Sequence, residues 1–361
     1  MVILGTRPEA IKLAPVILEL KERTETTPVV VATAQHREML DQVLDIFHIR
    51  PDIDLDLMIP DQTLFDVTGN AIKSFEKVMQ KTTPDVILVQ GDTTTSFIGA
   101  LAGFYNKIPI GHVEAGLRTG NKYFPFPEEI NRKMVSVLTD YHFAPTAGNR
   151  QNLLNEGVSP DNIFITGNTV IDALLMTVKK PPKQEVVIRS DYQRLILITA
   201  HRRENFGQPM KNICQSIRQM AEDNPHFHFV YPVHLNQHVQ KPVQRYLTNL
   251  PNVQLLSPLD YHTFVNLMSK ADIILTDSGG IQEEGPSLGK PVLVLRNETE
   301  RPEAVEAGTV KIVGTDRETI ISETLRLLNY PDAYQKMAQA QNPYGDGKAS
   351  KRIVDLLIEK L

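Results

Sequence analysis

Short apolar runs alternate with amphipathic segments through the first half of the chain. The segments between the runs carry apolar residues every three or four positions, which is typical of helices packed by one face. Continuous apolar runs predict strands buried on both faces, and their alternation with helices predicts a parallel sheet. The pattern therefore predicts a doubly wound α/β domain. The strands expected in it lie at 29–33, 86–90, 108–113, 141–144 and 163–166.

A second set of strands begins after residues 178–183, a charged segment with prolines that cannot continue a helix. We expect two doubly wound domains, 1–172 and 173–348. The last amphipathic helix, 349–361, follows a turn-rich stretch and either stays with the second domain or packs back on the first. The opening run at 1–4 is short for a strand, so we expect the natural chain to carry a few residues before it. The strands expected in the second domain lie at 195–199, 228–231, 253–255, 272–275 and 292–295.

Composition limits the kinds of binding partner and the cellular location that we expect. The 361 residues carry a net charge of −5 without a basic tail, which argues against nucleic acid or an anionic membrane as the main partner. The single cysteine, Cys214, lies in an amphipathic segment, is expected to be buried and leaves no intramolecular disulfide. The sequence has no run approaching the roughly 20 apolar residues of a membrane span and opens on no secretory signal. We therefore expect a cytoplasmic protein.

The candidate chemistry lies just after the strands, because ligands of open parallel sheets bind outside the carboxyl ends of the strands. After the first strand, Gly5 permits a sharp turn and Pro8 suits a first helical turn. Arg7 and Lys12 add positive charge at that helix N-terminus, where the helix dipole favours negative side chains. This placement predicts a bound anion; a solvated turn with surface charges is the alternative.

Three carboxylates, Asp92, Glu114 and Glu128, follow other strands of the first domain. Carboxyl groups that converge on one crevice are suited to acid–base catalysis. Helix capping could also explain Asp92, and an i,i+4 surface ion pair with Arg132 could explain Glu128. Metal binding ranks lower because no histidines cluster with the three carboxylates, so we expect no metal.

The second domain carries a histidine and a glycine-rich turn at comparable positions. His201 follows the strand at 195–199 beside two arginines, where we expect it to be neutral near pH 7 and able to donate to a phosphate. The Ser-Gly-Gly turn at 278–280 exposes N–H groups suited to a diphosphate. Glu284, on the helix that follows, suits hydrogen bonds to ribose hydroxyls, and Arg301 adds positive charge for the diphosphate.

In this order the motifs resemble those of the bacterial non-hydrolysing UDP-N-acetylglucosamine 2-epimerases. They run from residue 5 to beyond residue 280, and with Arg301 the resemblance covers essentially the whole chain. The resemblance implies the GT-B fold, with two doubly wound Rossmann-like domains whose parallel sheets face each other across a cleft. The motifs are GTRPEAIK, QGDTTT, HVEAGLRT, PFPEEINR, TGNTVID, TAHRREN, YPVH and TDSGGIQEE.

The resemblance implies reversible epimerisation at carbon 2 of UDP-GlcNAc to UDP-ManNAc, by loss of UDP to a 2-acetamidoglucal and re-addition of UDP. It implies no cofactor, a homodimer and a role in cell-envelope polysaccharide synthesis. The active-site residues would be Asp92, Glu114, Glu128 and His201. The substrate-binding residues would be Arg7, Lys12, Arg132, Phe264, Ser278, Gly279, Gly280, Glu284 and Arg301.

Many bacterial members of this family are activated by a second UDP-GlcNAc, and the matching positions here are Gln35, Arg202 and His234. Glu38 and Asp61, however, stand where activated relatives carry an amide and a basic residue. Two anionic side chains near a diphosphate oppose its binding electrostatically. We therefore expect weak or absent activation.

Three other classes of protein fit parts of the pattern. A GT-B glycosyltransferase shares the diphosphate site but needs an acceptor pocket and uses fewer carboxylates. A hydrolysing epimerase differs mainly in admitting water to the intermediate. A silent UDP-sugar sensor has no use for Asp92, Glu114 and Glu128 beside a doubly charged ligand, so we rank it last.

Overall fold

The computed structural model describes residues 1–33, 37–58, 62–182, 184–188 and 191–361. The chain divides into two compact units, unit 1 (Met1–Leu175 with Tyr344–Leu361) and unit 2 (Met176–Pro343). The sequence pattern placed the boundary between residues 172 and 173, close to this division. Residues 344–348, which we expected in the second domain, belong instead to unit 1.

Unit 1 is organised around a parallel sheet. Its strands are β1 (Val2–Leu4), β2 (Val30–Ala32), β3 (Ile53–Asp54), β4 (Ile87–Gln90), β5 (Ile110–Val113), β6 (Tyr141–Ala144) and β7 (Ile163–Ile165). Across the described residues these form one seven-stranded sheet in the order β3-β2-β1-β4-β5-β6-β7. Because the chain winds outward in both directions from β1 and β4, the sheet has its topological switch point between those two strands.

Unit 2 repeats this winding. Its strands are β8 (Arg194–Thr199), β9 (Phe227–Pro232), β10 (Val253–Leu256), β11 (Ile273–Thr276), β12 (Val292–Val294) and β13 (Val310–Ile312). The described part of unit 2 forms a six-stranded parallel sheet in the order β10-β9-β8-β11-β12-β13. Its switch point lies between β8 and β11, which pair along Ile273↔Ile196 to Thr276↔Thr199.

Helices connect the strands of both units. In unit 1 they are α1 (Arg7–Glu22), α2 (Arg37–Phe47), α3 (Leu64–Lys81), α4 (Thr94–Tyr105), α5 (Glu128–Leu138) and α6 (Ala147–Asn155), and α7 (Thr169–Val178) crosses the division. In unit 2 they are α8 (Gln208–Asp223), α9 (Gln237–Leu247), α10 (Tyr261–Lys270), α11 (Gly279–Ser287), α12 (Pro302–Glu306), α13 (Arg317–Asn329) and α14 (Pro331–Ala338). Within the described ranges, none of the helices combines the length and the apolarity that crossing a bilayer requires.

The central strands are buried on both faces, as their continuous apolar runs predict. Ile3, Val89 and Ile110 belong to the core of unit 1, and Ile196 and Leu275 to the core of unit 2. Cys214 is also fully buried, which confirms the expectation from its amphipathic segment, and burial raises the pKa of its thiol to about 12.

The sequence pattern did not predict two edge strands, β3 and β13. β3 is short and only partly buried, and β13 contains a lysine between its apolar residues. An edge strand contacts one neighbour only, so neither segment needs the continuous apolar run that marks a central strand. Their edge positions thus permit the polar residues that broke the pattern, whereas the edge strands β7 and β10 carry apolar runs and were predicted.

The C-terminal helix, α15 (Ala349–Lys360), packs against α1 in unit 1. Its N-terminus is fixed by Asp172 of α7. The Asp172 carboxylate accepts the N–H groups of Ala349 at 3.2 Å and Ser350 at 2.8 Å, and the Ser350 hydroxyl at 2.6 Å. A buried carboxylate thus caps a helix that is distant in sequence, which periodicity alone could not assign to either domain.

Candidate active site

Buried Glu9 joins the two loops that flank the switch point of unit 1. Its Oε2 accepts the N–H groups of Gly5 at 2.9 Å and Thr6 at 2.7 Å, in the loop after β1. Its Oε1 accepts the hydroxyls of Thr93 at 2.5 Å, in the loop after β4, and of Ser96 at 2.8 Å, in the first turn of α4. Burial raises the pKa of Glu9, and these hydrogen bonds oppose the rise. Glu9 therefore holds both loops in place, a role that the sequence motif did not reveal.

Glu114 occupies the exit of β5 in a strained backbone conformation. Its φ of 67° lies in the left-handed region, which is uncommon for a residue with a side chain and concentrates at functional sites. The carboxylate is 8% exposed and accepts hydrogen bonds from Lys12 and Gln90, with Asn168 Nδ2 at 3.5 Å. The structure thus places Lys12, which the sequence pattern assigned to a bound anion, in an ion pair with Glu114.

Asp92, at the exit of β4, is held by two residues of α5. Arg132 Nη2 donates to Asp92 Oδ2 at 2.6 Å, and Asn131 Nδ2 donates to the Asp92 carbonyl oxygen at 2.9 Å. Arg132 Nη1 also donates to Glu129 Oε2 at 3.1 Å, and Arg132 is only 8% exposed. The charge partners of Arg132 in the described structure are therefore Asp92 and Glu129, rather than the surface pairing with Glu128 weighed above.

Glu129 also fixes the loop that leads into α5. It is fully buried and accepts the N–H groups of Thr119 and Gly120, both at 3.1 Å. The sequence pattern does not distinguish Glu129 from its neighbour Glu128, because both begin the same helix. Burial and three donors identify Glu129 as the structural member of the pair.

Glu128, the first residue of α5, is in a different situation. Its Oε2 is buried and, among the residues the structure describes, has no hydrogen-bond partner. The loop before it exposes the aromatic side chains of Tyr123, Phe124 and Phe126. Buried carboxylate oxygens in native structures nearly always have a hydrogen-bond partner, so this exception marks Glu128 as a candidate functional residue.

His112, within β5, contacts the backbone next to Asp92. Its Nε2 lies 2.8 Å from the carbonyl oxygen of Gly91, which precedes Asp92 and has a φ of 70°. Burial lowers the pKa of His112 to about 3, so the ring is neutral at pH 7.

This burial predicts a loss of stability in acid. The pKa of His112 is lower in the folded protein than the ordinary value of about 6.5, so its contribution is complete above that pH and is lost as the pH falls towards 3. One pKa unit corresponds to about 1.4 kcal/mol. The lowered pKa of His112 should therefore decrease the free energy of unfolding by about 2 kcal/mol at pH 5, relative to pH 7. Urea unfolding between pH 7 and pH 4.5 measures this loss, and His112→Gln should reduce it.

The control for His112→Gln is His48→Asn, because His48 is exposed and asparagine tolerates its φ of 55°. The control should leave the pH dependence unchanged. An equal acid loss in wild type and His112→Gln would contradict the assignment to His112.

Asp277 organises the switch point of unit 2. It follows β11 and is fully buried. Its Oδ2 accepts the backbone N–H groups of His201 and Arg202, each at 2.8 Å, and Asn205 Nδ2 at 3.0 Å. Asp277 therefore shapes the loop that carries His201. Although Asp277 lies within the TDSGGIQEE motif, nothing in the sequence pattern distinguishes it from a helix cap.

His201 lies between Asp277 and His234. Its Nδ1 is 3.8 Å from Asp277 Oδ1, and its ring stacks on that of His234 with centroids 5.3 Å apart. Burial lowers the pKa of His201, and the Asp277 carboxylate opposes the change. The imidazole is therefore neutral at pH 7, as expected from the sequence.

The N-terminus of α11 lies beside Arg202. Ser278 precedes the helix and makes no side-chain capping bond in the described part of the chain, and Gly279 and Gly280 form its first turn. A Cβ built on Gly279 would lie 3.6 Å from Arg202 Nη2. Unpaired helix N–H groups and a guanidinium together make a suitable site for an anion.

Residues further along α11 contact α10 and the loop before α12. Tyr261 donates its hydroxyl to Glu284 Oε1 at 3.2 Å, and Phe264 lies one turn after Tyr261 on α10. Arg301 donates to the buried carboxylate of Glu283. Arg301 therefore has a partner within unit 2, although the sequence assigned it to the diphosphate alone.

Two of the predicted residues that the structure describes, Arg7 and Glu38, take no part in these contacts. Arg7 is the first residue of α1 and is partly buried. Glu38 is exposed on α2, while Gln35 and Asp61 lie outside the described residues. The weak activation expected from Glu38 and Asp61 stays a prediction. No group of three histidine, cysteine or acidic residues suited to a metal ion occurs among the described residues.

Comparison with known proteins identifies the family. The family model described as UDP-N-acetylglucosamine 2-epimerase matches residues 18–358. The chain belongs to this epimerase family. It is 54% identical over 358 residues to the UDP-N-acetylglucosamine 2-epimerase of Bacillus subtilis, covering 99% of this chain and 94% of the relative. The resemblance inferred from the motifs is thereby confirmed.

Solved structures of epimerase family members share the fold. The crystal structure of UDP-GlcNAc 2-epimerase from Neisseria meningitidis bound to UDP-GlcNAc is 53% identical, covers 99% of both chains and has a TM-score of 0.88. The Methanocaldococcus jannaschii enzyme in complex with UDP-GlcNAc and UDP is 35% identical, covers 99% of both chains and has a TM-score of 0.79. The predicted fold class, two Rossmann-like α/β domains of the GT-B type, is confirmed.

Proposed function

We propose that this protein interconverts UDP-GlcNAc and UDP-ManNAc by epimerisation at carbon 2, without net hydrolysis. Membership of the epimerase family and the ligands of the two solved relatives support this activity. The observation that carries the proposal is the set of carboxylates at neighbouring strand exits of unit 1, with a buried oxygen of Glu128 left without a partner among the described residues.

Unit 2 would bind the UDP moiety. The N-terminus of α11 and the Arg202 guanidinium would hold the diphosphate, which moves Arg202 from the activator site that the resemblance implied to the substrate site. Glu284 would accept hydrogen bonds from the ribose hydroxyls, and Phe264 would contact the uracil ring. Donors arranged in advance around a leaving diphosphate stabilise the charge that develops on it.

The first half-reaction would be an elimination. A base removes the carbon-2 proton, and the electron pair of that C–H bond forms the C1–C2 double bond of the 2-acetamidoglucal. The C1–O bond breaks, and its electron pair leaves on the β-phosphate oxygen of UDP. Because the carbon-2 proton is weakly acidic, this step depends on stabilisation of the departing diphosphate.

The second half-reaction would reverse these bond changes, with the proton returned to the opposite face of carbon 2 and the configuration at carbon 1 unchanged. The β-phosphate oxygen re-forms its bond to carbon 1 while a proton is delivered to carbon 2. Two acid–base groups are needed, one for each face. We assign one proton transfer to Glu128, because Asp92 is engaged by Arg132 and Glu114 by Lys12 and Gln90. The other transfer belongs to Asp92 or Glu114.

One experiment tests the proposed reaction. UDP-GlcNAc is incubated with the protein in deuterated water, and the sugar is followed by NMR and mass spectrometry. We expect deuterium at carbon 2 in both UDP-sugars and no net release of UDP. Accumulating UDP with free ManNAc would indicate a hydrolysing epimerase. Turnover only with an added acceptor would indicate a glycosyltransferase, and binding without exchange would indicate a sensor.

The diphosphate site in unit 2 gives a separate prediction. Arg202→Ala should weaken UDP binding roughly 10- to 150-fold, because it removes a charge-assisted interaction of about 1.5–3 kcal/mol. Isothermal titration calorimetry measures the affinity. Arg203→Ala is the matched control, since Arg203 is the exposed neighbour in sequence, and its affinity should equal that of the wild type. Equal affinities in all three proteins would contradict the site.

We further propose a cytoplasmic homodimer that supplies UDP-ManNAc for cell-envelope polysaccharides. Adjacent helices of unit 1 expose large apolar side chains, including Phe65 (89% exposed) on α3, Phe104 on α4 and Val137 (86%) on α5. Such a surface is typical of a protein–protein contact. Light scattering should give twice the chain mass of 40.6 kDa; a single-chain mass at micromolar concentration would contradict the dimer. Cell fractionation tests the location.

A further inference from the structure

The two oxygens of the Asp277 carboxylate have different surroundings. Oδ2 accepts three hydrogen bonds, from the backbone N–H groups of His201 and Arg202 and from Asn205 Nδ2. Oδ1 is buried and, within the described residues, accepts none. The three bonds to Oδ2 suffice to shape the loop, so they do not explain why a charged carboxylate, rather than an amide, occupies this position.

The group that faces Oδ1 is the ring of His201. Nδ1 of His201 lies 3.8 Å away, so a small rotation of the ring would bring it within hydrogen-bond distance. Among the described residues, the other charged or titratable groups around this ring are His234, which stacks on it, and Arg202. Neither Arg202 nor a protonated His234 can accept a hydrogen bond. An ionised carboxylate, by contrast, accepts hydrogen bonds and cannot donate them.

We propose that Asp277 is a positioning residue that holds His201 as the Nδ1–H tautomer and turns Nε2 towards the substrate. A carboxylate next to Nδ1 requires the proton on that nitrogen, which leaves Nε2 as the nitrogen that gains or loses a proton. The inference rests on the proposed function for its purpose. With a proton taken up from water on Nε2 when the negatively charged diphosphate binds, His201 can donate a hydrogen bond to the β-phosphate oxygen as the C1–O bond breaks and its electron pair moves there, and Asp277 stabilises the imidazolium so formed.

His234 provides an internal comparison. Its Nδ1 accepts the backbone N–H of Asn236 at 3.1 Å, so a neutral His234 carries its proton on Nε2. Two stacked histidines are therefore expected to be opposite tautomers. Only the tautomer of His201 should depend on Asp277.

The test is NMR of the ring nitrogens in protein labelled with ¹⁵N-histidine, at a pH where both rings are neutral. Comparison with His201→Asn and His234→Asn assigns the two sets of signals. We expect protonated Nδ1 in His201 and protonated Nε2 in His234. Asp277→Asn places an amide donor at this position, so it should move the His201 proton to Nε2 and leave His234 unchanged. It should also lower kcat about 100-fold or more, with the KM for UDP-GlcNAc within about threefold.

Asn205→Ala is the control for a purely structural role. It removes one donor to Oδ2 and leaves Oδ1 untouched, so it should lower the melting temperature and keep the His201 tautomer. An Nε2–H tautomer of His201 in the wild type, or an unchanged tautomer in Asp277→Asn, would overturn the proposal. If Asp277→Asn does not fold, the wild-type spectrum still decides. The spectrum does not depend on turnover, whereas the deuterium experiment on the wild type tests the proposed reaction separately.

Discussion

Glu128→Gln should lower kcat by about 100- to 10,000-fold, the range associated with loss of a general acid or base. The substitution keeps the size of the side chain and removes its ability to take a proton. Because Oε2 of Glu128 has no hydrogen-bond partner among the described residues, the folded protein loses little by the change. Steady-state kinetics from UDP-GlcNAc measure kcat, and thermal unfolding should show a melting temperature within about 2 °C of the wild type.

The neighbouring residue supplies the control. Glu129→Gln removes charge from a buried carboxylate that holds Arg132 and the loop before α5, so it should lower stability by about 1–3 kcal/mol as well as activity. Near-wild-type turnover in Glu128→Gln would remove Glu128 from the reaction. A large fall in its melting temperature would mean that its role is structural.

Gly116→Ala should destabilise the protein by roughly 3–5 kcal/mol, combining backbone strain with a steric collision. Gly116 has a φ of 89°, and a Cβ built on it would lie 2.2 Å from the backbone oxygen of Asn149 in α6. Backbone cannot yield as a flexible side chain can, so α6 or the strand exit must move. Folded domains have only about 5–15 kcal/mol of stability, so the loss should be visible at once in urea unfolding.

Gly120→Ala separates strain from collision. Gly120 has a φ of 75°, but a Cβ there would meet no atom within 4 Å. We expect this variant to lose only the strain component, about 1–2 kcal/mol. If Gly116→Ala and Gly120→Ala were equally stable, close packing of Gly116 against α6 would not be what requires glycine there.

Gly116→Ala should lower the activity as well as the stability, because Glu114 lies two residues earlier at the same strand exit. The left-handed φ of Glu114 and the close approach at Gly116 together set the direction in which the Glu114 carboxylate leaves the sheet. Displacing this turn would separate Glu114 from Lys12. Distortion of the exit thus connects the packing of α6 to the chemistry of the site.

The fold was largely readable from the sequence because central strands must be apolar on both faces. Continuous runs such as 86–90 and 292–295 therefore marked the strands that form the middle of each sheet. The edge strands β3 and β13 were missed because contact on one side only does not require such a run, whereas the edge strands β7 and β10 carry one. The attachment of α15 to unit 1 was undecided because it depends on Asp172, which is remote in sequence.

By itself, the sequence determined the order of the elements, the family, and the strand exits where polar residues accumulate. These features depend on local composition and spacing, which a linear pattern records. Only the tertiary structure decided the role of each polar residue. Glu129, rather than Glu128, is the buried carboxylate that holds Arg132. Lys12 pairs with Glu114, and Asp277 faces His201. A carboxylate's role depends on which donors surround it and whether water reaches it. Those donors come from strands and helices that only the folded chain brings together.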